Sequence, residues 1–376
     1  MENLLSGIHT IDTSRFNLID ISLEDSISTE HVKSNTNKKS ISGLSYYNQK
    51  ENSILYLEQL CSEYRMTISN LDGNVIFSTP YVGDIKLYSF SKIDDYFYIS
   101  LIKEEDNKRF YFIAKYDLDG NKLWESKICE YSDDVSNGRE IVGDSDFIYI
   151  TVLNSYGKLK IHKYDVKGSL LNVFESDIFY WANFNLIITS QGKLLVSLTT
   201  NEFHNDIKRF EYFTYVFLLK DNFEVEKLLR YDTEINEKCT SRFSIIDIKE
   251  LANGQYLFAA IQTLRIYADS YTPYNAIVVG ILNDELEIVN QIKLNSDFHV
   301  YQCHLLITNS SFVVMGKYLN EEPADFVVHV LNHELEHDFS RTMNLLGSEI
   351  KGVDLIDDRV SVFGLNNKGM HLFNLY

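Results

Sequence analysis

The residues that most invite a chemical reading are His333, Glu334 and His337, which with Leu335 and Glu336 form a formal HExxH match. That pattern binds zinc on a helix, where both imidazoles share one face a turn apart and the glutamate serves as general base. The frame here is different. Leu331-Asn332-His333-Glu334-Leu335-Glu336 repeats, with a histidine added, the earlier segment Leu282-Asn283-Asp284-Glu285-Leu286-Glu287. A turn leading into a strand is expected in both places. Four residues of strand span roughly 13 Å, too far for one zinc ion with bonds of about 2.1 Å. His329 does not complete a ligand set, and no metal is expected.

Other chemistry is thin. His162, His204, His299, His304 and His371 are dispersed, no Ser, Cys or Lys stands in a nucleophile motif, and there is no GxSxG or phosphate-binding loop. No catalytic residue and no cofactor are expected. The aromatic-rich connections carry more information. Asn201 to Tyr212, Leu264 to Asn275 and Asp177 to Phe184 read as long loops on one face of the molecule, holding Tyr180, Trp181, Phe203, Arg209, Phe210, Tyr212, Arg265, Tyr267, Tyr271 and Tyr274. Long loops tend to be functional, and Tyr, Trp and Arg dominate the energetics of protein interfaces.

The elements that hold these loops form a repeat. Arg109 to Trp124 (RFYFIAKYDLDGNKLW) is a strand, an Asp119-Gly120 turn and a second strand. The unit recurs at Tyr64 to Phe77 and Lys158 to Phe174, so that Gly73, Gly120 and Gly168 are spaced by about 48 residues, and less regular copies start at Val216, Val278 and Val327. An Asp-Gly pair between strands predicts a hairpin with both central residues at positive φ. A further strand precedes each hairpin, as in DYFYISLI from Asp95, DFIYITVL from Asp146 and QYLFAAIQ from Gln255. Several are apolar on both faces, which suits strands covered by a sheet on each side. Four short strands per unit, seven times over, predict an all-β, seven-bladed β-propeller of four-stranded antiparallel blades. Residues 1–376 make one domain. The last unit lacks a fourth strand, and RFNLIDISLED (Arg15 to Asp25) is expected to supply it as the closing strand.

The pattern Tyr116-Asp117-x-Asp119-Gly120-Asn121-x-x-Trp124 resembles the blades of the PQQ-like (quinoprotein-type) propeller superfamily. The resemblance concerns fold. A quinone cofactor is not implied, since that chemistry accompanies tryptophan-rich, disulfide-containing exported proteins, and this sequence has two tryptophans.

Composition sets the remaining bounds. Lys and Arg number 35 against 54 Asp and Glu, a net charge of −19, which disfavours nucleic acid and would attract a basic protein. No stretch approaches the roughly 18 apolar residues of a spanning helix, and no export signal is read at the N-terminus. Cys61, Cys129, Cys239 and Cys303 are scattered, as suits free thiols in a reducing cytoplasm. These features lead to a cytoplasmic binding propeller that engages a protein partner, for example a bacterial immunity-type inhibitor of a basic toxin. The alternatives are a hydrolase or lyase acting on a small or saccharide substrate in a central channel, and an assembly subunit.

Overall fold

The computed structural model describes residues 29–32, 40–41, 46–48, 53–60, 63–70, 75–78, 86–130, 140–153, 158–179, 182–204, 209–232, 239–266, 274–296, 299–319, 326–343, 349–356, 359–366 and 369–375. All regular structure among them is antiparallel β: six sheets of four strands and one of five. In the 86–130, 141–179, 182–232, 239–296 and 299–343 sheets the strands follow one another as simple meanders. The 40–78 sheet is the one with five. The remaining sheet combines both ends of the chain. Thr29–Val32 pairs antiparallel with Gly369–Leu375, Thr29 opposite Phe373 and Val32 opposite Met370, outside Arg359–Asn366 and Glu349–Ile356. Arg15 to Asp25 lies outside the described residues.

The contacts divide the chain into two compact units. One holds the 182–232, 239–296 and 299–343 sheets, and the other holds the rest. Packing in the first follows from side-chain alternation along a strand. Leu257, Ala259, Ile261, Ile277, Val279 and Ile281 face Val300, Leu305, Phe312 and Val314 of the following sheet. Their sequence neighbours Tyr256, Phe258, Ala260 and Val278 face Leu195, Val216 and Leu218 of the preceding one. A sheet covered on both sides needs strands apolar on both faces, which is why QYLFAAIQ lacks polar alternation. In the other unit Tyr98 and Ile113 meet Ile141, Ile148, Ile150 and Tyr164 in the same manner.

The third and fourth strands of these sheets are joined by one recurring turn. Asp117 N–H donates to the Asn121 carbonyl (3.1 Å) and Gly120 N–H to the Asp117 carbonyl (3.0 Å), with Gly120 at φ 77°. The Asp117 carboxylate accepts the Asn121 backbone N–H (2.7 Å), and hydrogen bonds from Asn121 hold it below the usual carboxylate range. The same bonds recur at Asp165–Ser169, Lys220–Glu224, Asn283–Glu287 and Asn332–Glu336. This is a turn ending in one left-handed residue and a bulge, so only Gly120 of the Asp119-Gly120 pair has positive φ. The expectation of two such residues is corrected here. They occur instead at Asp106 (φ 54°) and Asn107 (φ 61°), in the tight turn between Tyr96–Glu105 and Lys108–Asp117. In the later copies the left-handed position belongs to Phe223, Leu286 and Leu335, all buried.

Three of these turns, 165–169, 283–287 and 332–336, are also anchoring points for the preceding sheet. Trp124 Nε1–H donates to the Val166 carbonyl (3.0 Å) and Ser126 Oγ–H to the Gly168 carbonyl (2.8 Å). At the matching places, Lys227 Nζ donates to the Asp284 carbonyl (2.6 Å) and Asn290 Nδ2 to the Glu334 carbonyl (2.8 Å).

Gly280 marks a close approach within a strand. A Cβ there would lie 2.5 Å from Phe258 Cζ and 3.2 Å from the Asn290 carbonyl oxygen, and Phe258 is fully buried. Gly280→Ala is expected to destabilise by about 1–3 kcal/mol, seen as a lower urea midpoint. An unchanged midpoint would show that the Phe258 ring yields freely.

Candidate functional site

The aromatic segment 201–212 is mostly strand. Leu194–His204 and Arg209–Leu219 stay paired to the end, through Asn201 opposite Tyr212, Glu202 opposite Glu211, Phe203 opposite Phe210 and His204 opposite Arg209. The expected twelve-residue loop is therefore a long hairpin with a short connection. An aromatic cross-strand pair and flanking Thr, Tyr and Phe residues favour continued pairing. The 264–275 segment behaves alike at its margins: Tyr256–Ile266 and Tyr274–Leu282 pair as far as Leu264 opposite Tyr274, and Arg265 lies opposite Thr240. Likewise Leu170–Phe179 and Ala182–Ile188 occupy most of 177–184. Tyr180, Trp181, Tyr267 and Tyr271 lie outside the described residues.

Two hairpin ends thus project from neighbouring sheets, and contacts along Cys239–Glu250 orient them alike. At one end of this strand Ser190 Oγ–H donates to Glu250 Oε1 (2.8 Å), beside the short connection Thr189–Lys193. At its other end the Arg242 guanidinium lies 5.9 Å from the Tyr212 ring, and Cys239 pairs with Ile266. Both ends therefore point the same way.

Their footing is a chain of hydroxyls. Arg242 Nε–H donates to Ser244 Oγ (3.3 Å), Ser244 Oγ–H to Thr199 Oγ1 (2.9 Å), and Thr199 and Thr214 share a bond of 3.2 Å. Thr214 Oγ1–H then donates to the Phe243 carbonyl. Ser244, Thr199 and Thr214 are buried, so satisfied polar groups fix the hairpin against the next sheet. On this base Tyr212 is half-buried and Phe210 keeps 45% of its surface exposed. Glu202 stands directly opposite Glu211 in the register. The arrangement offers an aromatic surface and an Arg within cation–π range of Tyr212. Arg242 escaped the sequence reading because it stands in a different repeat from the ring it covers.

Two other groupings emerge from the histidines. His333–His337 is a turn running into the strand His337–Met343, as the repeated frame implied. Yet His337 meets His329 across the hairpin. His337 Nε2 and His329 Nδ1 each lie 2.6 Å from Ser340 Oγ, and the rings are 6.0 Å apart. One hydroxyl proton serves two imidazoles, so Ser340 donates to one and accepts from the other. Burial, then the neighbouring His337, brings the His329 pKa down to about 3, and burial also lowers that of His337. A base so weak suits structure better than proton abstraction at neutral pH. In the adjoining strands Asp247 Oδ2 accepts the Leu305 backbone N–H (3.0 Å), with Lys249 Nζ 4.0 Å from Oδ1. His304 beside them is kept below its usual pKa by burial, against the pull of Asp247. Among the described residues no group of three or more His, Cys, Asp or Glu is placed to hold a metal. Nor is any helix among them long and apolar enough to cross a membrane.

No protein-family model matches the sequence, and no curated protein matches it. Among solved structures the chain is similar to the Dos1 propeller, with 12% identity, a TM-score of 0.48 and coverage of 89% of this chain and 82% of that one. It is similar to the AfRom2 CNH domain at 8% identity and TM-score 0.48, covering 93% and 98%. A prolyl endopeptidase follows at 11% identity and TM-score 0.47, covering 87% of this chain and 45% of that one.

Proposed function

We propose that this chain is a non-catalytic binding module, a seven-bladed β-propeller closed by an N-terminal strand, that grips a protein partner with the hairpin ends of its 182–232 and 239–296 sheets. The observation that carries the reading is the 201–212 hairpin. It presents exposed Phe210 and sets Glu202 against Glu211, on a base locked by buried hydroxyls. Rigid support under an exposed aromatic is what a binding site needs. We assign Phe203, Arg209, Tyr212, Arg265 and Tyr274 to the same proposed binding surface, together with Tyr180, Trp181, Tyr267 and Tyr271.

A net charge of −19 steers basic partners, and inhibition of a basic toxin by an immunity-type protein is one concrete form of the activity. Cys129 and Cys303 are free thiols, which suits the reducing cytoplasm. The PQQ-like superfamily remains the proposed relation of the repeat, at the level of fold. Affinity capture from the native organism would supply the partner, and calorimetry on the purified pair tests the surface. Phe210→Ala is expected to weaken binding by about 1–4 kcal/mol without altering the melting temperature. Asn309→Ala, at the opposite end of a neighbouring sheet, should leave affinity unchanged. Full-strength binding by Phe210→Ala would remove these hairpins from the interface.

A further inference from the structure

A regular strand sends residues three apart to opposite faces, so His337 and Ser340 ought not to meet. A bulge between Val330 and Leu331 leaves Asp338 as an extra residue and turns both to one side. That side also carries His329, directly opposite Ser340, and Leu331, opposite His337, and it meets the 239–296 sheet. His329 is buried, while His337 and Ser340 are half-buried. The fold does not ask for these histidines. The same bulge follows the same turn in the 86–130, 182–232 and 239–296 sheets. There the place of His337 is taken by Lys122, Val225 and Ile288, and that of His329 by Ala114, Phe217 and Gly280. A position that accepts Ala, Phe or Gly does not need an imidazole for packing, and burying one costs unless its nitrogens are engaged.

We infer that His329 and His337 form a two-histidine site for a divalent transition-metal ion of the copper, nickel and zinc class, with water completing its shell. Imidazole suits these ions, whereas calcium and magnesium take oxygen ligands. His329 Nδ1 and His337 Nε2 already converge on one point, each 2.6 Å from Ser340 Oγ. Bonds from imidazole to such an ion are about 2.1 Å long, so each ring has to advance only about 0.5 Å. Ser340 leaves the point by a change of rotamer. The ring that donates to Ser340 shifts its proton to its other nitrogen, so no proton is released and the ion meets two lone pairs. Two protein ligands fall short of the four of a structural zinc site, which makes this ion exchangeable. The HExxH spacing plays no part, since His333 is exposed and packs against Phe312 with ring centroids 4.9 Å apart. This site is independent of the hairpin ends.

Calorimetry of the full chain with nickel chloride, zinc chloride and glycine-buffered copper(II) chloride tests the assignment. A single saturable site is expected, tightest for copper as the usual order of divalent affinities requires, with none for magnesium or calcium. His337→Ile and His329→Ala install residues that other sheets carry at these places, and each is expected to weaken binding about tenfold or more. Circular dichroism checks folding, and His337→Ile decides alone should His329→Ala not fold. His333→Ala should bind like the parent. The electron paramagnetic resonance spectrum of the copper form should show coupling to two imidazole nitrogens. The ion should also raise the melting temperature of the parent but not of the two variants. Absence of saturable binding overturns the proposal. So does binding that survives in His337→Ile, which would place the ion on other histidines, and so does loss in His333→Ala, which would return it to the HExxH pair.

Discussion

Lowering the pH from about 6.5 to about 4 is expected to remove on the order of 3 kcal/mol of folding stability through His162 alone. Burial, and to a lesser degree Lys160, brings this imidazole from 6.5 to about 4 in the folded chain. Neither ring nitrogen has a hydrogen-bond partner among the described residues, and the ring stacks on Tyr164 with centroids 6.4 Å apart. Between the two pKa values the unfolded chain takes up a proton that the folded chain refuses, so stability falls as pH falls. The loss begins near 6.5 and is complete for His162 near 4. His329 extends the same slope toward about 3. Urea denaturation across this range should show the decline, and His162→Phe should flatten its upper part while costing little at pH 7, because no hydrogen bond is lost. An equal slope in parent and variant would mean that His162 reaches water or a partner in the folded state. The lowered carboxyls of Asp117, Asp165, Glu224 and Glu226 shed their contribution as pH falls from the usual carboxylate range through their own lower values, continuing the decline where that of His162 ends.

The second large effect concerns Leu286. This side chain is completely buried, yet its backbone has φ 64°, a conformation that costs an L-residue about 1–2 kcal/mol. Leu286→Ala loses the burial and keeps the strain, for an expected penalty of about 2–4 kcal/mol. Leu286→Gly loses the same burial but releases the strain. The glycine variant is therefore expected to be more stable than the alanine variant by about 1 kcal/mol, the reverse of the usual order within strands. Leu335, at φ 64° and 3% exposed, should behave alike. Guanidinium denaturation of the two pairs measures both differences. If alanine proves the better residue at both sites, the left-handed turn is not what holds these hairpins.

That exchange explains why the repeat fades along the sequence. Gly120 and Gly168 announce their turns, whereas Phe223, Leu286 and Leu335 perform the same backbone task with side chains that read as ordinary core. Strand–turn–strand frames were legible in four of the five turns because side-chain hydrogen bonding at Asp117, Asp165, Asn283 and Asn332 retains Asp or Asn at the first position, which Lys220 takes in the remaining one. The HELEH segment could be placed by its frame for the same reason. What could not be read is whatever depends on register across strands. Phe203 opposite Phe210 turns an apparent loop into a hairpin, and a bulge between Val330 and Leu331 decides that His329 and His337 share Ser340. Arg242 over Tyr212 requires knowing which repeats are neighbours and how their strands align.

The bonds from Trp124, Lys227 and Asn290 to the turns of the following sheets have a consequence for how such a protein can change over evolutionary time. All three grip the end of the sheet where the third strand turns into the fourth. The 201–212 and 264–275 hairpins extend from the other end. Residues inserted or exchanged at those tips leave the ties between sheets untouched. Selection can therefore rewrite what the surface recognises, in length as well as in chemistry, without renegotiating how the sheets hold together. Descendants of one ancestor would then agree in their Asx turns and disagree in their hairpin tips, and a lineage chasing a changing partner would show its fastest substitutions there.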